Sequence, residues 1–210
     1  SLRTWRWCSV ATTLAHQFRD LTKSWPLVLL LAIFLAYSIG YLLVSLTPTL
    51  DGDSIAGYLL TAREYAHQGG IVRVDYAYTD SLPANGQMLS TMGFLLRGQI
   101  LAQLLVVWSM GILIVFAIYS FGRVWLSRRI ALIAIVIWYG TGSVGFLAAS
   151  GKIDLVWAAF DLLAIFAFTR WYFTEASERD WKWLALTGFL LGVAGGTKQA
   201  SLFTIIVIVV

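Results

Sequence analysis

From Pro26 to Leu46 the chain runs for about 20 residues without a charged side chain. At about 1.5 Å per residue, that length carries an α-helix across the roughly 30 Å hydrocarbon core of a bilayer. Backbone in lipid has no water to bond to, so a run of this kind is constrained to be helical. It exceeds the roughly 7–15 apolar residues of a signal-peptide core, and no small-residue cleavage site follows it, so it reads as a retained span. Further apolar runs cover Ile100 to Phe121, Ile130 to Ala149, Leu155 to about Phe173 and, shorter, Trp183 to Thr197, and another begins near Ser201. With 59% hydrophobic and 12% charged residues, the chain is too apolar for a soluble domain, in which about a quarter of residues are charged.

The predicted fold class is therefore all-α, a polytopic transmembrane helix bundle. Residues 1–25 form a cytoplasmic interfacial segment in which Arg3, Arg6, Arg19 and Lys23 interleave with Trp5, Trp7 and Trp25. Residues 26–210 hold about five complete spans and the start of a sixth. Ten of the fifteen basic residues then fall in cytoplasmic loops: Arg3, Arg6, Arg19, Lys23, Arg123, Arg128, Arg129, Arg170, Arg179 and Lys182. That asymmetry follows the positive-inside rule and makes residues 47–98 a long external loop. The chain begins with Ser1 and stops inside an apolar run, so it reads as the N-terminal part of a longer protein, inactive alone.

The net charge of +4 gives no nucleic-acid surface, because the basic residues gather at helix ends instead of forming a patch. One cysteine, Cys8, excludes an internal disulfide, and His16 and His67 stand too far apart for a metal-site spacing.

Chemistry is expected first in Leu50–Gly70, the polar break after the first span. Asp51 and Asp53 stand where a carboxylate meets both water and lipid headgroups. After them Ile55, Leu59, Ala62 and Ala66 recur at helical spacing beside polar Thr61, Arg63, Glu64 and His67, a pattern for an interfacial helix. An Asp before a helix also serves as its N-cap, and for Asp53 both readings stand. Lys152 and Asp154 lie between the third and fourth spans and Lys198 follows the fifth, so these groups could line one cavity with Asp51 and Asp53. Asp161 inside the fourth span needs a partner, and pairing with an arginine of a neighbouring helix is the favoured reading over a functional one. Gly188, Gly192 and Gly196 recur every fourth residue, a pattern that lets a helix approach closely.

The order of Gly52-Asp53, Tyr58, Ala62-Arg63-Glu64-Tyr65 and Pro83-Ala84-Asn85-Gly86-Gln87-Met88-Leu89 resembles the first external loop of polyprenyl-phosphate-dependent membrane glycosyltransferases. These are the protein mannosyltransferase and aminoarabinose transferase relatives. The resemblance continues through Tyr119-Ser120-Phe121-Gly122-Arg123, Lys152-Ile153-Asp154-Leu155 and the stretch from Gly188 to Lys198. It implies a GT-C-like fold with interfacial helices in the first external loop, a sugar donor on a polyprenyl phosphate, and a lipid, glycan or protein acceptor. Transfer would invert the sugar's configuration at the outer face of a bacterial cytoplasmic membrane. Asp53 would be the general base, with Lys198, Lys152, Asp154, Arg63, Arg97 and Tyr58 binding donor phosphate or acceptor. A divalent metal is possible, although Ser54 and Gln87 stand where the family often has acids. The alternative is a polytopic secondary transporter, for which an internal repeat would be expected and none is seen.

Overall fold

The structure is a computed structural model and describes residues 24–175 and 180–209. The expected cytoplasmic segment 1–25 therefore lies almost wholly outside the described residues. The described residues are helical, without strands, and the chain is an all-α membrane helix bundle.

Helix α1 is Trp25–Ser45, with Pro26 in its first turn, where the missing N–H costs nothing. A π-helical turn over Ser54–Tyr58 leads into α2, Leu59–Gln68, and α3 is Asn85–Leu96. Helix α4, Gln99–Trp125, carries its own π-turn at Leu104–Trp108. The third apolar run is broken: α5 (Arg128–Tyr139) and α6 (Gly142–Ala148) meet at 63° across Gly140-Thr141-Gly142. Helix α7 is Asp154–Tyr172, α8 Trp181–Gly195 and α9 Ser201–Val209. Among the described residues three helices, α1, α4 and α7, are long and apolar enough to cross a membrane, or four if α5 and α6 form one span.

Lipid tails are as apolar as leucine, so helices associate there by close packing and not by hydrophobic burial. Ala131 fills the place a Cβ on Gly122 would need, at 2.8 Å, which draws α5 onto α4. Tyr139 is buried between α5, α4 and α1 with Phe34 at its edge. The α7–α8 contact is built from Ala164, Ala167, Leu190 and Leu191. The glycine stripe of α8 does not make it: Gly188 and Gly192 meet nothing within 4 Å, and only Gly196 is closely approached, by the Asn85 side chain. The helix turns Thr187, Leu190, Leu191 and Ala194 inward instead, roughly opposite the glycines.

Asp161 is buried, but its partners are hydroxyls and not an arginine: Ser201 Oγ donates to Oδ1 at 2.9 Å and Thr204 Oγ1 to Oδ2 at 2.7 Å. The first turn of α9 thus supplies the donors, and a second buried charge is not needed.

Residues 47–98 pack onto one end of this bundle. Leu59 and Ala62 of α2 are buried, as their spacing predicts. Tyr58, Thr61 and Tyr65 are buried too, whereas Ile55 is half exposed. The inward face is thus rotated from the expected one, and Thr61, assigned to the polar side, bonds Thr79 at 2.7 Å. The cause is the strap 71–84, a run of turns that covers α2 with Val74 and Ala77 and is tied through Asp80 Oδ1, an acceptor for the Val74 N–H at 2.8 Å.

A candidate site of two lysine–aspartate pairs

Three segments meet at the end of the bundle covered by residues 47–98. The strand-like stretch 47–51 is held by bundle helices: Gln103 donates to the Thr47 carbonyl at 3.1 Å, and Ser45 and Thr49 hydroxyls donate to the Ala148 and Ala149 carbonyls. The N-terminus of α3 is held by the C-terminus of α8, with the Asn85 N–H bonding the Gly196 carbonyl at 2.9 Å. Gly86 sits so close to Ile153 that a Cβ there would lie 2.6 Å from it. These contacts carry Asp53, Lys152, Asp154 and Lys198 to one place.

The first pair corrects the cap reading of Asp53. The N-cap is Asp51, whose Oδ2 accepts from the Ser54 N–H at 2.9 Å and the Ser54 hydroxyl at 2.6 Å. Ser54 Oγ in turn accepts from the Gly151 N–H at 2.9 Å, locking this helix start to the 149–153 loop. The small hydroxyl of Ser54, fully buried, does here what a longer acid could not. Asp53 lies one position inside the first turn, makes no capping bond and points out. Its Oδ2 is 2.8 Å from Lys152 Nζ, and the same ammonium is 3.5 Å from Asp51 Oδ1. The Asp53 side chain is 61% exposed, against 16% for Asp51 and 15% for Lys152. Phe146 lies under the ammonium, 5.0 Å from ring centre.

Burial pushes the Asp51 carboxyl up, but the Ser54 hydroxyl and amide and the Lys152 charge outweigh it, and hold Asp51 below the usual carboxylate range. Lys152 is raised above the usual lysine value, chiefly by its hydrogen bond to Asp53, against burial that pulls the other way.

In the second pair Lys198 Nζ is 2.5 Å from Asp154 Oδ1. Asp154 opens α7, and Lys198 lies just beyond the C-terminus of α8, so each charge faces the helix end that favours it. Lys198 stands 5.5 Å from the Trp157 ring centre and lines a cavity of about 240 Å³ with Tyr58, Pro83, Ile153 and Thr197. Tyr58 links the two pairs: burial raises its hydroxyl pKa most, and the charges of Lys198, Asp154, Asp53 and Lys152 all act on it.

Five of the seven residues singled out from sequence thus converge: Asp53, Lys152, Asp154, Lys198 and Tyr58. Arg63 and Arg97 do not. Both are exposed and belong to neither pair nor the cavity wall. Gln87 is 1% exposed, with neither amide atom hydrogen-bonded. Among the described residues no three His, Cys, Asp or Glu side chains come together as a metal site. Two residues outside that set belong to the site: Asp51, the cap, and Tyr78, whose hydroxyl donates to the Asp53 carbonyl at 3.4 Å. Ser54 three residues after Asp51 is the spacing of a capping pair and was the available signal for the former.

The model of the dolichyl-phosphate-mannose-protein mannosyltransferase family matches residues 91–210, more than half of the chain. The chain belongs to that family. It is a family of membrane glycosyltransferases that take sugar from a lipid-linked donor, which decides against the transporter reading. The matched region holds Lys152, Asp154 and Lys198, whereas Asp53 and Tyr58 precede it. No curated protein and no solved structure matches the chain.

Proposed function

We propose that this chain carries the donor and base subsites of a transferase that moves a sugar from a polyprenyl phosphate to an acceptor hydroxyl, with inversion, at the outer face of the membrane. The observation that carries the reading is the asymmetry of the pairs. At the first, the lysine is enclosed and the carboxylate of Asp53 is exposed; at the second, the lysine lines a cavity.

An acceptor hydroxyl is a weak nucleophile, so a carboxylate that takes its proton as the bond to the anomeric carbon forms lowers the barrier. Asp53 is the group placed to do so, oriented by Lys152 at 2.8 Å. The lipid phosphate leaves with its charge, and a cation in a confined site stabilises it. Lys198 takes that role by exchanging Asp154 for a phosphate oxygen. Inversion follows from a single displacement, with base and leaving group on opposite sides of the sugar. The acceptor is a hydroxyl of a lipid, glycan or protein.

The test has two parts. In the full-length enzyme a Leu50→Cys substitution, at a 93%-exposed position beside the site, is labelled by a membrane-impermeant thiol reagent from outside intact cells. Reconstituted enzyme, supplied with acceptor from the producing cells, releases dolichyl phosphate from dolichyl-phosphate-mannose, and the sugar appears on the acceptor as the α anomer if the donor is β. Labelling from the cytoplasmic side alone, or retention of the donor's configuration, overturns the reading.

A further inference from the structure

Between the two charged pairs lies an aromatic corner whose use is not explained by packing alone. Tyr58 lines the Lys198 cavity. Its ring meets that of Tyr78 edge to face, with centres 6.2 Å apart and planes at 77°. Tyr78 reaches from the strap 71–84 to the Asp53 backbone, yet its side of the ring stays open: the residue is 54% exposed. The backbone makes room for it. A Cβ on Gly57 would stand 2.6 Å from Tyr78 Cε1 and 2.9 Å from Thr79 Cγ2, and the buried Thr61–Thr79 bond fixes the strap at that point. A large ring is thus packed on a glycine and against Tyr58, yet stays 54% exposed beside the carboxylate of Asp53, which is exposed too.

Burial first, then Tyr58, Asp53 and Asp51, push the Tyr78 hydroxyl pKa up to about 12. The ring accordingly stays neutral across the working range, and it offers a π-face and not an anion.

We propose that Tyr78, backed by Tyr58, is the sugar-contacting platform of this site: its open face receives the C–H-bearing face of the donor hexose while the lipid phosphate lies toward Lys198. This rests on the transferase reading above and assigns it a residue outside the matched family region. A pyranose presents polarised C–H groups on one face, which suits the negative face of an aromatic ring, and the ring's rigidity makes that contact cheap in conformational entropy. The platform thereby reads the sugar and not the lipid.

The experiment compares binding of dolichyl-phosphate-mannose with that of sugar-free dolichyl phosphate, using the full-length enzyme in nanodiscs and four proteins: wild type, Tyr78→Phe, Tyr78→Leu and Gly57→Ala. Tyr78→Phe keeps the ring and is expected to retain the preference for the mannose-bearing lipid over dolichyl phosphate. Tyr78→Leu is expected to weaken the mannose-bearing lipid by roughly three- to tenfold, the scale of one aromatic contact, and to leave dolichyl phosphate unchanged. Gly57→Ala, which removes no functional group but displaces the ring, is expected to show the same selective loss. Equal weakening of both lipids by Tyr78→Leu would make the ring merely structural, and unchanged binding of both would remove it from the site. Either result overturns the platform while leaving the transferase reading intact. Failure of the wild type to bind either lipid overturns both.

Discussion

The two lysine–aspartate pairs use the same residue types at the same end of the bundle and expose opposite partners. Around Lys152 the ammonium is enclosed between Asp51, Asp53 and Phe146, and the open group is the carboxylate of Asp53. Around Lys198 the ammonium is 36% exposed and faces a cavity, while Asp154, at 21%, is drawn into the start of α7. Which member of an ion pair is available for chemistry depends on which one the backbone holds. Asp51 and the 149–153 loop hold the lysine in the first case, and the helix end holds the acid in the second.

The largest effect expected from breaking this contrast is at Asp53. Asp53→Asn removes the base but leaves the cap and most of the polar contact to Lys152, so transfer should fall at least about a hundredfold, the usual worth of a general base, with donor binding retained. A steady-state turnover assay alongside a donor-binding measurement checks both, and near-normal turnover would return Asp53 to a surface ion pair. Lys198→Met should show the opposite pattern: a loss of donor affinity of about ten- to a hundredfold, from one charge-assisted hydrogen bond. Recovery in Lys198→Arg is expected, and a fall in turnover at unchanged affinity would mean the roles of the two pairs are exchanged.

Smaller effects fall on stability. Lys152→Met leaves two carboxylates facing each other. Because Asp53 is largely exposed, the cost should be on the order of 1 kcal/mol, or a fall in Tm of about 2–4 °C by thermal unfolding in detergent. The pH dependence carries the same information with definite signs. The depressed Asp51 contributes stability that is present above the usual carboxylate range and is lost as pH falls through its lowered pKa. The raised Lys152 contributes stability that is present below the usual lysine value and is lost as pH rises through its raised pKa. Melting followed against pH should lose its acid limb in Asp51→Asn and its alkaline limb in Lys152→Met. The smallest effect is that of Asp51→Asn at neutral pH, since asparagine caps a helix nearly as well as aspartate. Activity should stay close to wild type, whereas Asp51→Ala should cost about 1 kcal/mol.

Much of the helix inventory was legible because it depends on sums along the chain. The run from Pro26 to Leu46 corresponds to α1 at Trp25–Ser45, and the run from Leu155 to Phe173 to α7 at Asp154–Tyr172. Averaged hydropathy over some twenty residues tolerates an error of one residue at either end. The break in the third run at Gly140-Thr141-Gly142 was present in the letters but was read through, since two glycines in an apolar stretch do not say whether a helix bends.

The sequence by itself determined an all-helical membrane bundle with its lysines and most of its carboxylates outside the spans, because long uncharged runs satisfy their backbone in hydrocarbon as helices and charge there is costly. Only the tertiary structure decided that Asp51 caps and Asp53 pairs with Lys152, that Thr61 faces inward, that Asp161 is held by Ser201 and Thr204, and that Gly188 and Gly192 pack against none of the described residues. Most of these turn on how a helix is rotated about its axis, at about 100° per residue, and composition is blind to that angle. It is set by what the next segment brings into contact: the strap 71–84 over α2, the 149–153 loop against Ser54, and the start of α9 against α7.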